Sequence, residues 1–290
     1  MTDNLELFEK LNVTAESIYN LAGSDVLIIL NDGTNLTDWD EVDDRADVMF
    51  VSEDLSDKSS LKEMYCDLSG LKAIVISNIS DEVASMEDMF RGCFKLTDIK
   101  TVNCNTSNVS NMSGMFVECN SLRDISFLAD FDVTNVEDMS YMFEVCYSIS
   151  DVAPLAGWDV SSLKDAECMF YDCHILEDIS ALKSWNIERL ENIRAMFGNC
   201  NYLKDISPLS SWRVSNITNM ESLFEGCDYL DDISPLAGWD VSNAEKMDGM
   251  FSNTNITDAT CLNSWKISPE VRKDLIFRDC DLIKKPAWQD

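Results

Sequence analysis

Two rows of side chains and one dense acidic run are the parts of this sequence that could do chemistry. Asp98, Asp124, Asp151, Asp178, Asp205 and Asp232 recur at steps of 26 or 27 residues, with Asp258 one position early. If the segments that carry them stack at the usual spacing of about 5 Å, the carboxylates repel one another. Backbone amides donating to each carboxylate would offset that repulsion, and so would a row of bound cations. Aspartate caps turns readily, so turn capping is the first expectation and cation binding the alternative.

The second row is sulfur. Cys93, Cys119, Cys146, Cys173, Cys200 and Cys227 share one register, with Cys280 as its last member. The spacing is nothing like a CxxC metal pair, and eleven cysteines leave at least one thiol unpaired. A cysteine repeated at one register can act as a small apolar filler. The single histidine, His174, follows Cys173, and Phe94, Asn120, Tyr147, Asn201 and Asp228 occupy its position elsewhere. A histidine-dependent triad would rest on it alone. With no Walker loop and no dinucleotide fingerprint, the sequence offers no catalytic residue, cofactor site or metal site.

The acidic run lies between Asp38 and Asp57, with Asp40, Glu41, Asp43, Asp44, Asp47, Glu53 and Asp54 against Arg45 alone. It lacks the central glycine and terminal glutamate of an EF-hand loop. Asp40, Glu41, Asp43 and Asp44 are candidate contacts for a basic partner. The whole chain carries 53 acidic and 22 basic residues, a formal charge of −31. That balance argues against direct binding of nucleic acid, which needs clustered Lys and Arg, and against an anionic membrane. Residues 1–20 hold Asp3, Glu6, Glu9 and Lys10 without an apolar stretch, so no signal peptide is read. The longest apolar run, Val26 to Leu30, is too short to cross a bilayer. A cytoplasmic, reducing location with unpaired thiols is the expectation.

Both rows belong to a repeat. Met-Phe-x-x-Cys ends at each of Cys93 to Cys227, with Leu223 in place of Met in the last, and its Phe falls at 90, 116, 143, 170, 197, 224, 251 and 277. Self-similarity at such a period marks a stacked solenoid, which grows by coils and not by enlarging one core. In the coil from Trp158 to Ser184, Ser161 reads as a helix N-cap, as do Asp81, Ser107, Thr134, Ser215, Ser242 and Ser268, with Glu188 off type. Leu163, Ala166, Met169, Phe170 and Cys173 then fall at helical spacing. Met86, Met112, Met139, Met220 and Met247 hold the Ala166 position, as core filler. Leu176–Leu182, Leu203–Leu209 and Leu230–Leu236 read as strands, ending near Pro208 and Pro235 in two coils. Trp158, Trp185, Trp212, Trp239 and Trp265, with Phe131 before them, form an indole row, each after a small residue.

The ends differ. Residues 1–77 lack the cassette and read as an acidic N-terminal cap with a helix near Thr14–Leu21 and strands at Val26–Leu30, Val48–Val51 and Ala73–Ile76. A degenerate coil at Leu61–Leu71 leads into the array. Residues 78–267 are the solenoid. Residues 268–290, opening on Ser268-Pro269, read as a capping helix and tail. The predicted fold is an α/β, right-handed solenoid of about eight coils of 26–27 residues, capped at both ends.

The pattern Trp-x-Val-Ser-x-Val-x-x-Met-x-x-Met-Phe-x-x-Cys-x-x-Leu resembles the BspA-like leucine-rich repeats, also called the 26-residue bacterial surface repeat. Val214–Met220 and Val109–Met112 are especially similar to it. The resemblance implies a solenoid, and a role in adhesion or protein binding at a microbial surface. Three functions follow as expectations. The first is a non-catalytic protein-binding module, with Tyr171, Tyr202 and Tyr229 beside the cassette as candidate anchors. The second is an acidic intracellular inhibitor that mimics the charge of DNA and blocks a nucleic-acid-binding protein. The third is a surface adhesin.

Overall fold

The computed structural model describes residues 26–30, 35–36, 46–51, 58–77 and 79–289. The expected helix at Thr14–Leu21 and the acidic residues Asp40, Glu41, Asp43 and Asp44 lie outside them. A five-stranded sheet opens the molecule: β1 (Val26–Leu30), β2 (Asn35–Leu36), β3 (Ala46–Val51), β4 (Ala73–Ser77) and β5 (Asp98–Val102), in the order β2-β1-β3-β4-β5. β1 is antiparallel to β2 and β3, while β3, β4 and β5 are parallel. The three early strands read from the sequence are therefore present.

Beyond β5 the coils stack as expected, but the elements inside them do not follow the sequence reading. No α-helix occurs among the described residues; the cassettes are chains of tight turns. All but the last carry two positive-φ residues four apart, such as Tyr141 with Val145, Cys168 with Asp172, and Ala195 with Asn199; the last has Asp279 alone. Left-handed backbone is costly for residues with a side chain, and it forbids an α-helix through the cassette. What holds it is a divided hydrogen-bond pattern. Met169 N and Tyr171 N donate to carbonyls three residues back, at 3.3 and 3.0 Å. Between them Ala166 N, Cys168 N, Phe170 N and Asp172 N donate forward to Asn192, Arg194, Met196 and Gly198 of the following coil. Steps of three and four thus turn apolar side chains inward without a helix, which is why the spacing was misleading.

The strands expected at Leu176–Leu182 and its equivalents are also replaced. A one-turn 3-10 helix occupies Ser180–Ser184, Ser207–Ser211 and Ser234–Gly238. Pro208 and Pro235 lie in the first turn, where no amide is needed, so they start this element and do not end a strand. Pairing in this part of the coil contracts to isolated bridges, Asp151 to Asp178 and Asp258 to Lys284. The C-terminal capping helix is corrected as well. Residues after Ser268 form one more turn-built coil, closing on a short 3-10 turn, Ala287–Gln289.

The core is a set of ladders. Tyr65 stacks on Phe90 at 5.4 Å, and the row continues through Phe116, Phe143, Phe170, Phe197, Phe224 and Phe251 to Phe277 at 5.3–5.8 Å. The coil at Leu61–Leu71 is therefore a member of the array. From Tyr65 to Phe251 these rings are fully buried, and each contributes about 1.5–3 kcal/mol by leaving water. Trp158, Trp185, Trp212, Trp239 and Trp265 are buried too, and each indole Nε1 donates to a leucine carbonyl one coil back at 2.9–3.2 Å.

Candidate binding surface

The aspartate row caps turns from Asp124 onward, whereas Asp98 opens strand β5 and accepts from the Thr97 hydroxyl at 2.7 Å. Oδ1 of Asp124, Asp151, Asp178, Asp205, Asp232 and Asp258 accepts the amide two residues on, at 2.8–3.1 Å, which starts each 3-10 turn. Two parallel rows of the same device went unread. Asn105, Asp132, Asp159, Asn186 and Asp240 accept the amides of Ser107, Thr134, Ser161, Glu188 and Ser242. At those positions the expected N-cap residue supplies the amide and not the oxygen. Asn111, Asp138, Asp165, Asn192 and Asn219 do likewise on the cassette face, where they also bridge coil to coil. The recurrence of Asp or Asn directly after Trp was the available signal.

The cysteine row is inert. Cys119, Cys146, Cys173, Cys200 and Cys227 are buried, and each thiol donates to a phenylalanine carbonyl of the preceding coil at 3.1–3.2 Å. Burial pushes the Cys93 thiol up to about 12 and the others in the same direction. None of the eleven cysteines is joined in a disulfide in this structure. No group of three or more metal-ligating side chains occurs among the described residues.

A polar network covers the cassette face between these rows. Glu167 accepts from Tyr141 Oη at 2.6 Å, Asn192 Nδ2 at 2.9 Å and Arg194 Nη1 at 2.9 Å. Those three hydrogen bonds hold its carboxyl below the usual range against the opposing effect of burial. Tyr171 belongs to this face. Its ring lies over Gly198, where a Cβ would come within 2.7 Å, and its hydroxyl accepts from Asn199 Nδ2 at 3.1 Å. Among the described residues Glu144 has no partner of this kind, and burial, with Asp172 next, raises its carboxyl. Beside it an open depression of about 380 Å³ sits between Arg91 and Tyr141, floored by Ser113, Gly114 and Val117.

Most of the exposed apolar side chains gather elsewhere, at the corner just past the cysteine; Leu275 and Ile283 of the last coil are exposed apart from them. Tyr202 and Tyr229 are 53% and 54% exposed, with ring centroids 5.2 Å apart. One coil earlier, His174 stacks on Tyr147 at 4.9 Å, and its Nδ1 lies 3.1 Å from the Asn199 carbonyl. Ile175 and, towards the N-terminus, Phe94 share this corner. The backbone places them: Tyr202 N donates to the His174 carbonyl and Tyr229 N to that of Asn201, both at 3.1 Å. Of the three tyrosines read as candidate anchors, Tyr202 and Tyr229 meet at this corner and Tyr171 lies on the cassette face.

The family model for a Mycoplasma protein of unknown function, DUF285, matches residues 59–181, 84–206 and 177–288, which together span the stacked coils. The chain belongs to this family. The BspA-like leucine-rich repeat resemblance of the cassette holds with it. No curated protein matches the chain. Among solved structures, a leucine-rich repeat protein from Bacteroides ovatus is 15% identical, with 68% of this chain and 45% of that one covered and a TM-score of 0.44. A leucine rich cell surface protein from Faecalibacterium prausnitzii is 16% identical over 71% and 68%, TM-score 0.32. A T. pallidum leucine rich repeat protein is 14% identical over 57% and 86%, TM-score 0.30. The chain spans less than half the length of the Bacteroides protein. Scores this low carry no function across. Nothing among them supports the charge-mimicking inhibitor or the cytoplasmic location. Among the described residues no helix is long and apolar enough to cross a membrane.

Proposed function

We propose that this DUF285 chain is a non-catalytic module that binds a protein partner through the aromatic corner of its coils. One observation carries the reading. In an array whose large apolar side chains are nearly all buried, Tyr147, Ile175, Tyr202 and Tyr229 lie in four successive coils at 40–54% exposure. Ordered coils position them, so the partner meets a surface that costs little entropy to fix. Tyrosine suits such a site because it offers a large apolar face with a polar tip. The acidic residues Asp40, Glu41, Asp43 and Asp44 remain candidate contacts for a basic segment of the same partner.

The test is site-specific photocrosslinking in a lysate of the source organism. A photoreactive phenylalanine at position 202 or 229 should capture the same protein, and one at Ser215 should not. Equal capture from all three positions would sink this reading.

A further inference from the structure

The aromatic corner and one row of carboxylates run side by side along the same coils. Ile175, Tyr202 and Tyr229 stand three residues before Asp178, Asp205 and Asp232. Between them Leu176, Leu203 and Leu230 turn inward and are fully buried, and each aspartate returns to the exposed surface. Neither row is loosely placed. Backbone bonds fix Tyr202 and Tyr229, and each of the three aspartates accepts, through Oδ1, the amide two residues on at 2.8 Å. That bond uses one oxygen and leaves the negative charge in place. Lys204 is the one Lys or Arg in residues 146–151, 173–178, 200–205 and 227–232, and Asp231 pairs with it at 3.7 Å.

The spacing of the two rows selects what fits them. Neighbouring rings repeat at 4.9 and 5.2 Å along the array. An α-helix laid along that axis offers one side chain per turn, every ~5.4 Å, so an apolar stripe stays in step across several coils. An extended strand offers a side chain on one face every ~6.7 Å and is out of step within two coils. A second copy of this chain has the same period, but its corner would set carboxylates against carboxylates.

We propose that the partner docks a basic amphipathic α-helix along the array axis, with its apolar stripe on Ile175, Tyr202 and Tyr229 and its lysines or arginines over Asp178, Asp205 and Asp232. This rests on the aromatic corner being the binding surface, and it adds the chemistry of what that surface takes.

Fluorescence anisotropy on the full chain tests this with a labelled peptide carrying leucine at i, i+4, i+7 and i+11, lysine along one flank of that stripe and alanine elsewhere. An isomer of the same composition, with leucine at every second position, is the comparison. The helical pattern is expected to bind about tenfold more tightly than the isomer, and more weakly as salt rises. Asp178→Asn with Asp205→Asn and Asp232→Asn removes the charge but keeps an oxygen for each amide, as Asn105 and Asn186 do in the parallel row. It should weaken binding severalfold. Asp132→Asn with Asp159→Asn and Asp240→Asn, an equal loss of charge elsewhere on the coils, should leave it unchanged. Tyr202→Ala with Tyr229→Ala should weaken it about tenfold or more. Circular dichroism checks that each variant is folded. Equal binding of the isomer, no binding of either peptide by the folded wild type, or equal losses in the two asparagine sets overturns the helix and leaves capture at positions 202 and 229 untouched. Tyrosine changes that spare peptide binding overturn it as well, and if they also spare the photocrosslink, the corner reading falls with it. Concentration-dependent self-association abolished by the tyrosine changes gives the face to a second copy and overturns the proposal.

Discussion

The thiol of Cys173 donates to the carbonyl of Phe143, one coil back, at 3.2 Å. A side chain usually discussed for its reactivity is here a buried bond between neighbouring coils. The reactive form of cysteine is the thiolate, and burial suppresses it along this whole row. Native protein treated with a thiol reagent at pH 8 should label Cys66, Cys104, Cys261 and Cys280, which are partly exposed. Cys93, Cys119, Cys146, Cys173, Cys200 and Cys227 should react only after denaturation. Peptide mass spectrometry reads the two classes, and fast labelling of Cys173 would contradict the packing described.

Phe197 stacks between Phe170 and Phe224 at 5.8 and 5.7 Å. Phe197→Ala removes two ring contacts and leaves a cavity, a loss of about 3–5 kcal/mol. Each coil contacts mainly its neighbours, so denaturant unfolding should broaden as well as shift. Phe94→Ala, at a surface position, should change stability by about 0.5 kcal/mol or less.

Asp178 and Glu144 respond to acid in opposite directions. The Ser180 amide and hydroxyl lower the Asp178 carboxyl, so its contribution is complete above the unfolded value and is lost as pH falls through the folded one. Burial raises Glu144, so its charged form opposes folding at neutral pH, and that cost disappears as pH falls through the raised value. Glu144→Gln should therefore exceed wild type in thermal stability at pH 7, with the gap closing on acidification. Asp178→Ala should lose about 0.5–1 kcal/mol at pH 7, the worth of a capping bond, and converge on wild type in acid. Thermal melts from pH 7 downward check both.

Tyr202→Ala with Tyr229→Ala should leave the melting temperature within about one degree, because both rings are more than half exposed. The same pair should abolish the photocrosslink from a probe placed at position 175. Tyr171→Ala is the contrast. It removes the ring over Gly198 and the bond to Asn199, so it should lower stability with little effect on capture.

The ladders were legible because every coil repeats them: a stacked Phe, Cys, Trp and Asp at one register each is stated outright by the period. The local conformation was not. Leu163, Ala166, Met169, Phe170 and Cys173 satisfy a helical spacing and also a chain of turns, and only the left-handed Cys168 and Asp172 separate the two. No residue type announces those positions, since Tyr141, Val145 and Ala195 also hold them. Amides that donate to the next coil make such a backbone tolerable, and that partner lies 26 residues or so away in sequence. The aromatic corner was half legible. Tyr171, Tyr202 and Tyr229 all sit beside the cassette, but Tyr171 precedes the cysteine, and the chain turns at that residue.

Phe90 to Phe116 and Phe251 to Phe277 are 26 residues apart, while the steps from Phe116 through Phe251 are 27, and no ring leaves the stack. The architecture absorbs a single-residue change where a coil crosses the surface, yet holds its registers fixed inside. Such a molecule has no natural length. Removing one whole turn, or duplicating one, would leave every remaining side chain with a like neighbour above and below, so the reach of its binding faces can vary without a new core having to arise.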